Sequence, residues 1–143
     1  MTVNVKNLTG TKIALLICKK RQWIDEKVKA LDLSRTQWQV LAHLNYLPMP
    51  CAQQKLLKSL DIDRAHLARL LGQLEERGII IRSQVPGDKR ALHIELTQQG
   101  RALKEKVKEA LLQEHKQMLS GFTAQEVAQL DGWLDKMTVN LLG

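Results

Sequence analysis

Residues 82–97, RSQVPGDKRALHIELT, carry the feature that most narrows what this chain can fold into. Around them, apolar residues recur every three or four positions, as in helices. In Ile79–Ser83 and Ala91–Leu96 the period drops to two, and Pro86-Gly87-Asp88 separates the two runs. That pattern predicts one β-hairpin in an otherwise helical chain, with two adjacent cations, Lys89 and Arg90, at its tip. Aromatic residues make up only 3% of the sequence, so the core must be mostly leucine, isoleucine, valine and alanine, which suits helix packing better than a β-sandwich.

The helices can be placed around the hairpin. From about Thr11 to Leu31 the apolar positions Ile13, Leu16, Ile17, Ile24, Val28 and Leu31 alternate with Lys and Arg, giving one long amphipathic helix. Ser34 is placed to cap a second helix through Trp38, Leu41 and Leu44, ending near Leu47 before Pro48 and Pro50. Ala52–Leu60 reads as a short helix, Asp61–Asp63 as a turn, and Asp63 as the cap of a helix from Arg64 to Arg77. Leu67, Leu70, Leu71 and Leu74 line the inner side of that helix, and Gly78 stands where a terminating glycine belongs. Two helices joined by a short turn predict a helix-turn-helix. Gly72, inside the second of them, costs about 1 kcal/mol relative to alanine, which points to close packing at that position. Thr97 and Thr123 cap two further amphipathic helices, Gln98 to about Leu119 and one continuing to Leu141, with Gly121 between them.

A chain of 143 residues fits a single domain, which excludes a two-domain enzyme. No Ser/His/Asp order, paired carboxylates in an apolar setting or phosphate-cradling glycine loop appears, so no enzymatic activity is expected. Cys18 and Cys51 are too far apart for a redox or zinc motif, and neither metal nor other cofactor is expected. No run approaches the ~18 apolar residues of a membrane span, and no secretion signal opens the chain, so a cytoplasmic protein is expected. The net charge of +7 favours an anionic partner. Its distribution says more: residues 1–31 hold seven cations and two acids, residues 64–90 six and three, and residues 98–143 six of each. The first helix and the last two exceed what a small helix-turn-helix needs. Their apolar stripes require a partner, for which a second copy of the chain is the simplest candidate.

Those features converge on duplex DNA. The helix from Arg64 leads with Arg64, Ala65, His66 and Arg69 on its outward positions, and a major groove admits such a helix. Arginine can bind guanine O6 and N7 through two parallel hydrogen bonds, which lysine cannot. Asp63 could instead pair with Arg64. A hairpin directly after a helix-turn-helix is a wing, and an arginine at its tip suits the narrow, electronegative minor groove. Arg90 is the minor-groove candidate, Lys89 lies nearer phosphate, and Asp88 is placed to orient the tip. The competing class is an interaction module whose basic face meets an acidic protein.

The segment from Leu33 to about Lys106 resembles the MarR family of bacterial winged-helix regulators, and within it the SlyA-like branch. The markers are LARLLGQLEERGII, GDKRALHIELT and LTQQGRALKEKV. The resemblance implies a mainly α fold with a small β-hairpin wing. In it, a winged helix-turn-helix lobe (about 34–97) is flanked by dimerisation helices (about 11–31 and 98–143) in one domain spanning 1–143. It also implies a homodimer on a pseudo-palindromic operator, controlling transcription from the nucleoid. Residues 64–66 and Arg69 correspond to the readers of the recognition helix, and Asp88 and Arg90 to the wing acid and wing arginine. Arg21 and Trp38 match positions that SlyA-like proteins use for a small phenolic or aromatic carboxylate effector that releases DNA. The chain departs from that branch at Ala42, where the branch has histidine, and at Asp61, where it has glycine; the latter predicts a somewhat different turn. A peroxide-sensing branch carries a reactive cysteine near its first helix; Cys18, beside Lys19, Lys20 and Arg21, has cationic neighbours but stands at another position.

Overall fold

The computed structural model describes Thr2 and residues 4–143, and the side chains of Lys89 and Arg90 lie outside the described residues. After a 3-10 turn at Val5–Asn7, the elements are α1 (Thr9–Lys27), α2 (Arg35–Leu44), β1 (Cys51–Ala52), α3 (Gln53–Leu60), α4 (Arg64–Glu76), β2 (Ile80–Val85), β3 (Asp88–Leu96), α5 (Gln98–Met118) and α6 (Ala124–Leu142). The mainly helical architecture with a winged helix-turn-helix is therefore observed. The first helix is shorter than its periodicity predicts. It stops at Lys27, and a separate 3-10 turn over Lys29–Leu31 ends at Asp32 in the left-handed conformation, which redirects the chain toward α2. α2 likewise stops at Leu44, three residues before the expected end, and Asn45 to Leu47 continue in turn-type hydrogen bonds.

The caps act where the sequence places them. Ser34 and Gln37 exchange side-chain and backbone hydrogen bonds as a capping box, and Thr123 and Glu126 do the same at α6. At the end of α4 the N–H of Ile79 reaches the carbonyl of Leu74 at 2.9 Å, and that of Gly78 reaches Glu75 at 3.0 Å. This six-to-one and five-to-two pairing needs a left-handed residue, and Gly78 supplies it at φ +73°.

The sheet has three strands rather than the expected two, in the order β1-β3-β2, all antiparallel. Cys51 and Ala52 pair with Ile94 and His93, so the chain before α3 closes the free edge of the hairpin. The turn is also tighter than Pro86-Gly87-Asp88, because Asp88 already pairs with Val85 and leaves Pro86 and Gly87 as the reversal. Between Gln84, opposite Leu92, and Val85, opposite Asp88, the register shifts, and residues 89–91 are inserted on β3.

The core lies where α2, α3, α4 and the sheet meet, built from Leu41, Leu44, Leu56, Leu67, Leu71, Leu74, Ile80 and Ile94, and it is continued by Ile24 and Val107 from the long helices. Gly72 is not part of a tight contact: a methyl group built on it meets nothing within 4 Å. Gly100 is one, which the sequence did not advertise. No residue of α6 is buried in the single chain, and Trp133, Val139, Leu141 and Leu142 are more than half exposed.

Candidate nucleic-acid interface

α4 presents its leading residues outward because its leucines turn the opposite face into the core. Arg64, Ala65 and Arg69 are exposed and His66 is half-buried. Asp63 does not pair with Arg64; its carboxylate accepts the N–H of His66 at 2.7 Å and so fixes the first turn. Neither Arg64 nor Arg69 forms an ion pair with another described residue. The far end of α4 is tied down. Arg77 Nη1 donates to the carbonyl of Asp32 at 2.8 Å and to Gln37 Oε1 at 3.0 Å, joining α4 to the start of α2. A charged helix tip held from its other end is a positioned probe rather than a loose one.

The wing is braced to the same helix. Arg82 on β2 donates to Glu75 of α4, with Nη2 3.1 Å from Oε1 and its backbone N–H 3.2 Å from Oε2. The Arg82 hydrogen bonds hold the Glu75 carboxyl below its ordinary pKa despite some desolvation. Between the start of α3, the start of α4 and the strands lies a cavity of about 250 Å³, with Gln53, Gln54, Arg64 and His93 on its walls. The base of the wing is welded to α5: Thr97 donates its N–H to Ile79 O at 3.1 Å and its hydroxyl to Gly78 O at 2.5 Å, and accepts the N–H of Gly100 at 3.0 Å. Asp88 is exposed at the wing tip; the side chains of Lys89 and Arg90 are outside the described residues, so the expected Asp88–Arg90 contact is as well.

Arg21 and Trp38 do line a common cavity, of about 360 Å³, together with Lys20 from α1, His43 from α2, Tyr46 from the turn after it, and Leu111 from α5. Trp38 is also core. It is 4% exposed, and its indole N–H donates to Asp25 at 2.7 Å. Lys20 is committed to the buried Glu114 at 3.2 Å, which leaves Arg21 as the cation without an ion-pair partner among the described residues on that wall. His43, Tyr46 and Ser59 of α3 meet in a hydrogen-bonded triangle that nothing in the sequence spacing announces. Among the described residues, no group of three His, Cys, Asp or Glu side chains could hold a metal ion, and no helix is long and apolar enough to cross a membrane. Cys18 is exposed, whereas Cys51 is buried in β1 and burial pushes its thiol pKa up.

Residues 33–92, which span α2, the helix-turn-helix and most of the wing, match the family model described as MarR. The transcriptional regulator PA3341 is 30% identical with a TM-score of 0.86, over 94% of this chain and 98% of that one. The chain belongs to the MarR family. A MarR variant from E. coli complexed with operator DNA is 28% identical over 94% of this chain and 99% of that one, with a TM-score of 0.80. BpsR from Bordetella bronchiseptica, whose DNA binding is regulated by 6-hydroxynicotinic acid, shares the fold at 22% identity, with a TM-score of 0.79 over 96% of this chain and 98% of that one. In this MarR-family chain, α3 and α4 are the helix-turn-helix, α4 the recognition helix and β2–β3 the wing.

Proposed function

We propose that this chain is a sequence-specific regulator of transcription that binds operator DNA as a homodimer, with α4 in the major groove and the wing in the adjacent minor groove. The observation that carries the reading is the pair of exposed arginines at the leading end of α4, Arg64 and Arg69, on a helix anchored through Arg77. Arg69, Ala65 and His66 read bases, Arg64 reads bases or phosphate, Arg90 enters the minor groove beside Lys89, and Asp88 orients the tip. The α1 and α5–α6 ends carry the dimer, leaving 34–97 as the DNA-binding lobe. Leu16, Phe122, Trp133 and Leu134 are large apolar side chains left 40–56% exposed in the single chain, which a second copy would cover. Two half-sites then lie about 10 base pairs apart.

A duplex selected from a random pool provides the operator. On it, Arg69→Ala is expected to lose discrimination at one base pair in each half-site, about 1–3 kcal/mol each, and Arg90→Ala to weaken binding and lower the log–log salt slope by about 0.9 for each of the two wings. Unchanged affinity for Arg90→Ala at moderate salt rules out the minor-groove role. Binding without sequence preference would favour the acidic-protein reading, and a monomer at micromolar concentration in sedimentation removes the dimer.

The chain fits the SlyA-like branch best through Arg21 and Trp38, which share one cavity in which the walls carry cations and no carboxylate. A small aromatic carboxylate there would pair with Arg21 and pack on the indole, relieving DNA binding. Work inside the bacterial cytoplasm, on the nucleoid, follows from that role.

A further inference from the structure

We propose that Tyr46, His43 and Ser59 are the link through which an anion in the Arg21–Trp38 cavity weakens DNA binding; the proposal rests on the effector reading above. Tyr46 Oη lies 2.5 Å from His43 Nδ1, Ser59 Oγ lies 2.6 Å from the same nitrogen, and the two hydroxyls are 2.9 Å apart. His43 and Tyr46 line the cavity, whereas Ser59 belongs to α3, the first helix of the helix-turn-helix. The triangle therefore has one side in the effector site and one corner in the DNA-reading unit.

A neutral imidazole nitrogen offers one lone pair, so the two hydroxyls compete for it. One donates to Nδ1 and the other donates to its neighbour's oxygen, and the two arrangements use the same atoms. In the tautomer protonated at Nε2, Nδ1 of His43 is the acceptor. Burial lowers the basicity of His43, which favours the neutral imidazole, and the cations on the same cavity wall are Lys20 and Arg21 of α1. Lys58, beside Ser59 on α3, is also a cation and exposed.

A carboxylate seated at Arg21 upsets this balance. Charge-assisted hydrogen bonds are roughly twice as strong as neutral ones, and Tyr46, the most exposed member at 65%, is the hydroxyl free to turn toward it. In the arrangement where Ser59 donates to Nδ1 and accepts from Tyr46, Ser59 then keeps only its bond to His43, and α3 loses its polar tie to the turn after α2. A turn over Asp61, Ile62 and Asp63 connects α3 to α4, so a shift of α3 carries the Arg64 end of the recognition helix out of register.

The probe is 4-hydroxybenzoate, titrated into the 143-residue protein by calorimetry, with operator affinity measured by fluorescence anisotropy with and without it. Wild type is expected to bind the probe and to lose operator affinity about fivefold or more. Tyr46→Phe keeps the ring, the Trp38 platform and Arg21 but loses the hydroxyl that meets the anion, so it should bind the probe more weakly and, at saturating probe, show no change in operator affinity. Ser59→Ala, which leaves the cavity wall intact, should bind the probe as wild type does and likewise show no change in operator affinity. Either variant that binds the probe and still releases operator by the wild-type factor overturns the link while the cavity reading stands. Wild type that takes up no probe overturns the cavity reading and the link together.

Discussion

Replacing Gly100 by alanine is expected to cost about 3 kcal/mol of folding stability. Gly100 lies in the first turn of α5, where a methyl group would come 2.0 Å from the carbonyl oxygen of Ile79, 3.0 Å from its carbonyl carbon and 3.1 Å from Leu96 Cδ2. The obstacle is backbone, and backbone already in use: Ile79 O accepts the N–H of Thr97 at 3.1 Å. The first turn of α5 must therefore lift off the joint between α4 and β2. Overpacking costs about 1–3 kcal/mol, and an obstacle that cannot swing aside puts this case at the upper end. Disturbing the Thr97 cap adds about 1 kcal/mol, and the better helix propensity of alanine returns about 1. Gly72→Ala is the matched control, because nothing lies within 4 Å of its added methyl, so propensity alone should raise stability by about 1 kcal/mol. The assay is urea unfolding followed by circular dichroism at one fixed protein concentration, since the midpoint of the proposed dimer moves with concentration. A Gly100→Ala midpoint equal to wild type, at unchanged slope, would refute the seating of α5 on Ile79.

Burial pushes the Asp25 carboxyl up, but hydrogen bonds from Arg35 and the Trp38 indole, together with the Arg35 charge, outweigh it and hold the group below its ordinary value. Because the folded-state value is the lower one, the stabilisation is present above about pH 4 and lost as pH falls through the folded value. Asp25→Asn should flatten the acid limb of stability measured between pH 3 and 6, and an unchanged limb would show that other carboxylates set it. His43 is shifted down by burial, so the unfolded chain holds more protons and stability should fall as pH drops below about 6.5; His43→Gln should remove that slope in the same titration. Asp61 sits at φ +54°, where glycine is at ease, so Asp61→Gly should stabilise by roughly 0.5–1 kcal/mol, and a loss of stability would mean the carboxylate has a partner the backbone does not reveal.

The local signals were legible in the sequence, and they are the ones decided within a few residues. Asp63, Thr97, Thr123 and Gly78 cap or end their helices because a side chain three positions away, or a left-handed backbone, settles the matter. The outward face of α4 follows from those signals and the helical period, whereas the MarR family was legible only through the resemblance of LARLLGQLEERGII, GDKRALHIELT and LTQQGRALKEKV. What failed depends on partners far along the chain. β1 is two residues without a period, and only Ile94 and His93, some forty positions on, make it a strand. Gly72 and Gly100 look alike as letters, yet only Gly100 meets another backbone, and Asp61 takes the conformation a glycine would, so the substitution there needs no new turn. The Arg77 tether and the His43–Tyr46–Ser59 triangle bridge separate helices, and no spacing rule brings such residues together.

The weld at Thr97 makes a crank of the wing and α5. α5 has 21 residues, about 31 Å of helix at 1.5 Å per residue, so a displacement of about 3 Å at its Met118 end tilts it by roughly 5–6° about the joint. With Thr97 fixing Gly78 and Ile79 to the first turn, that tilt reaches the hairpin as a change of pitch rather than being absorbed in a hinge. In the proposed homodimer, how far apart two wings grip a duplex is then set by the stiffness of two long helices and their packing, and a substitution near Met118 should alter operator spacing preference without touching a residue proposed to meet DNA.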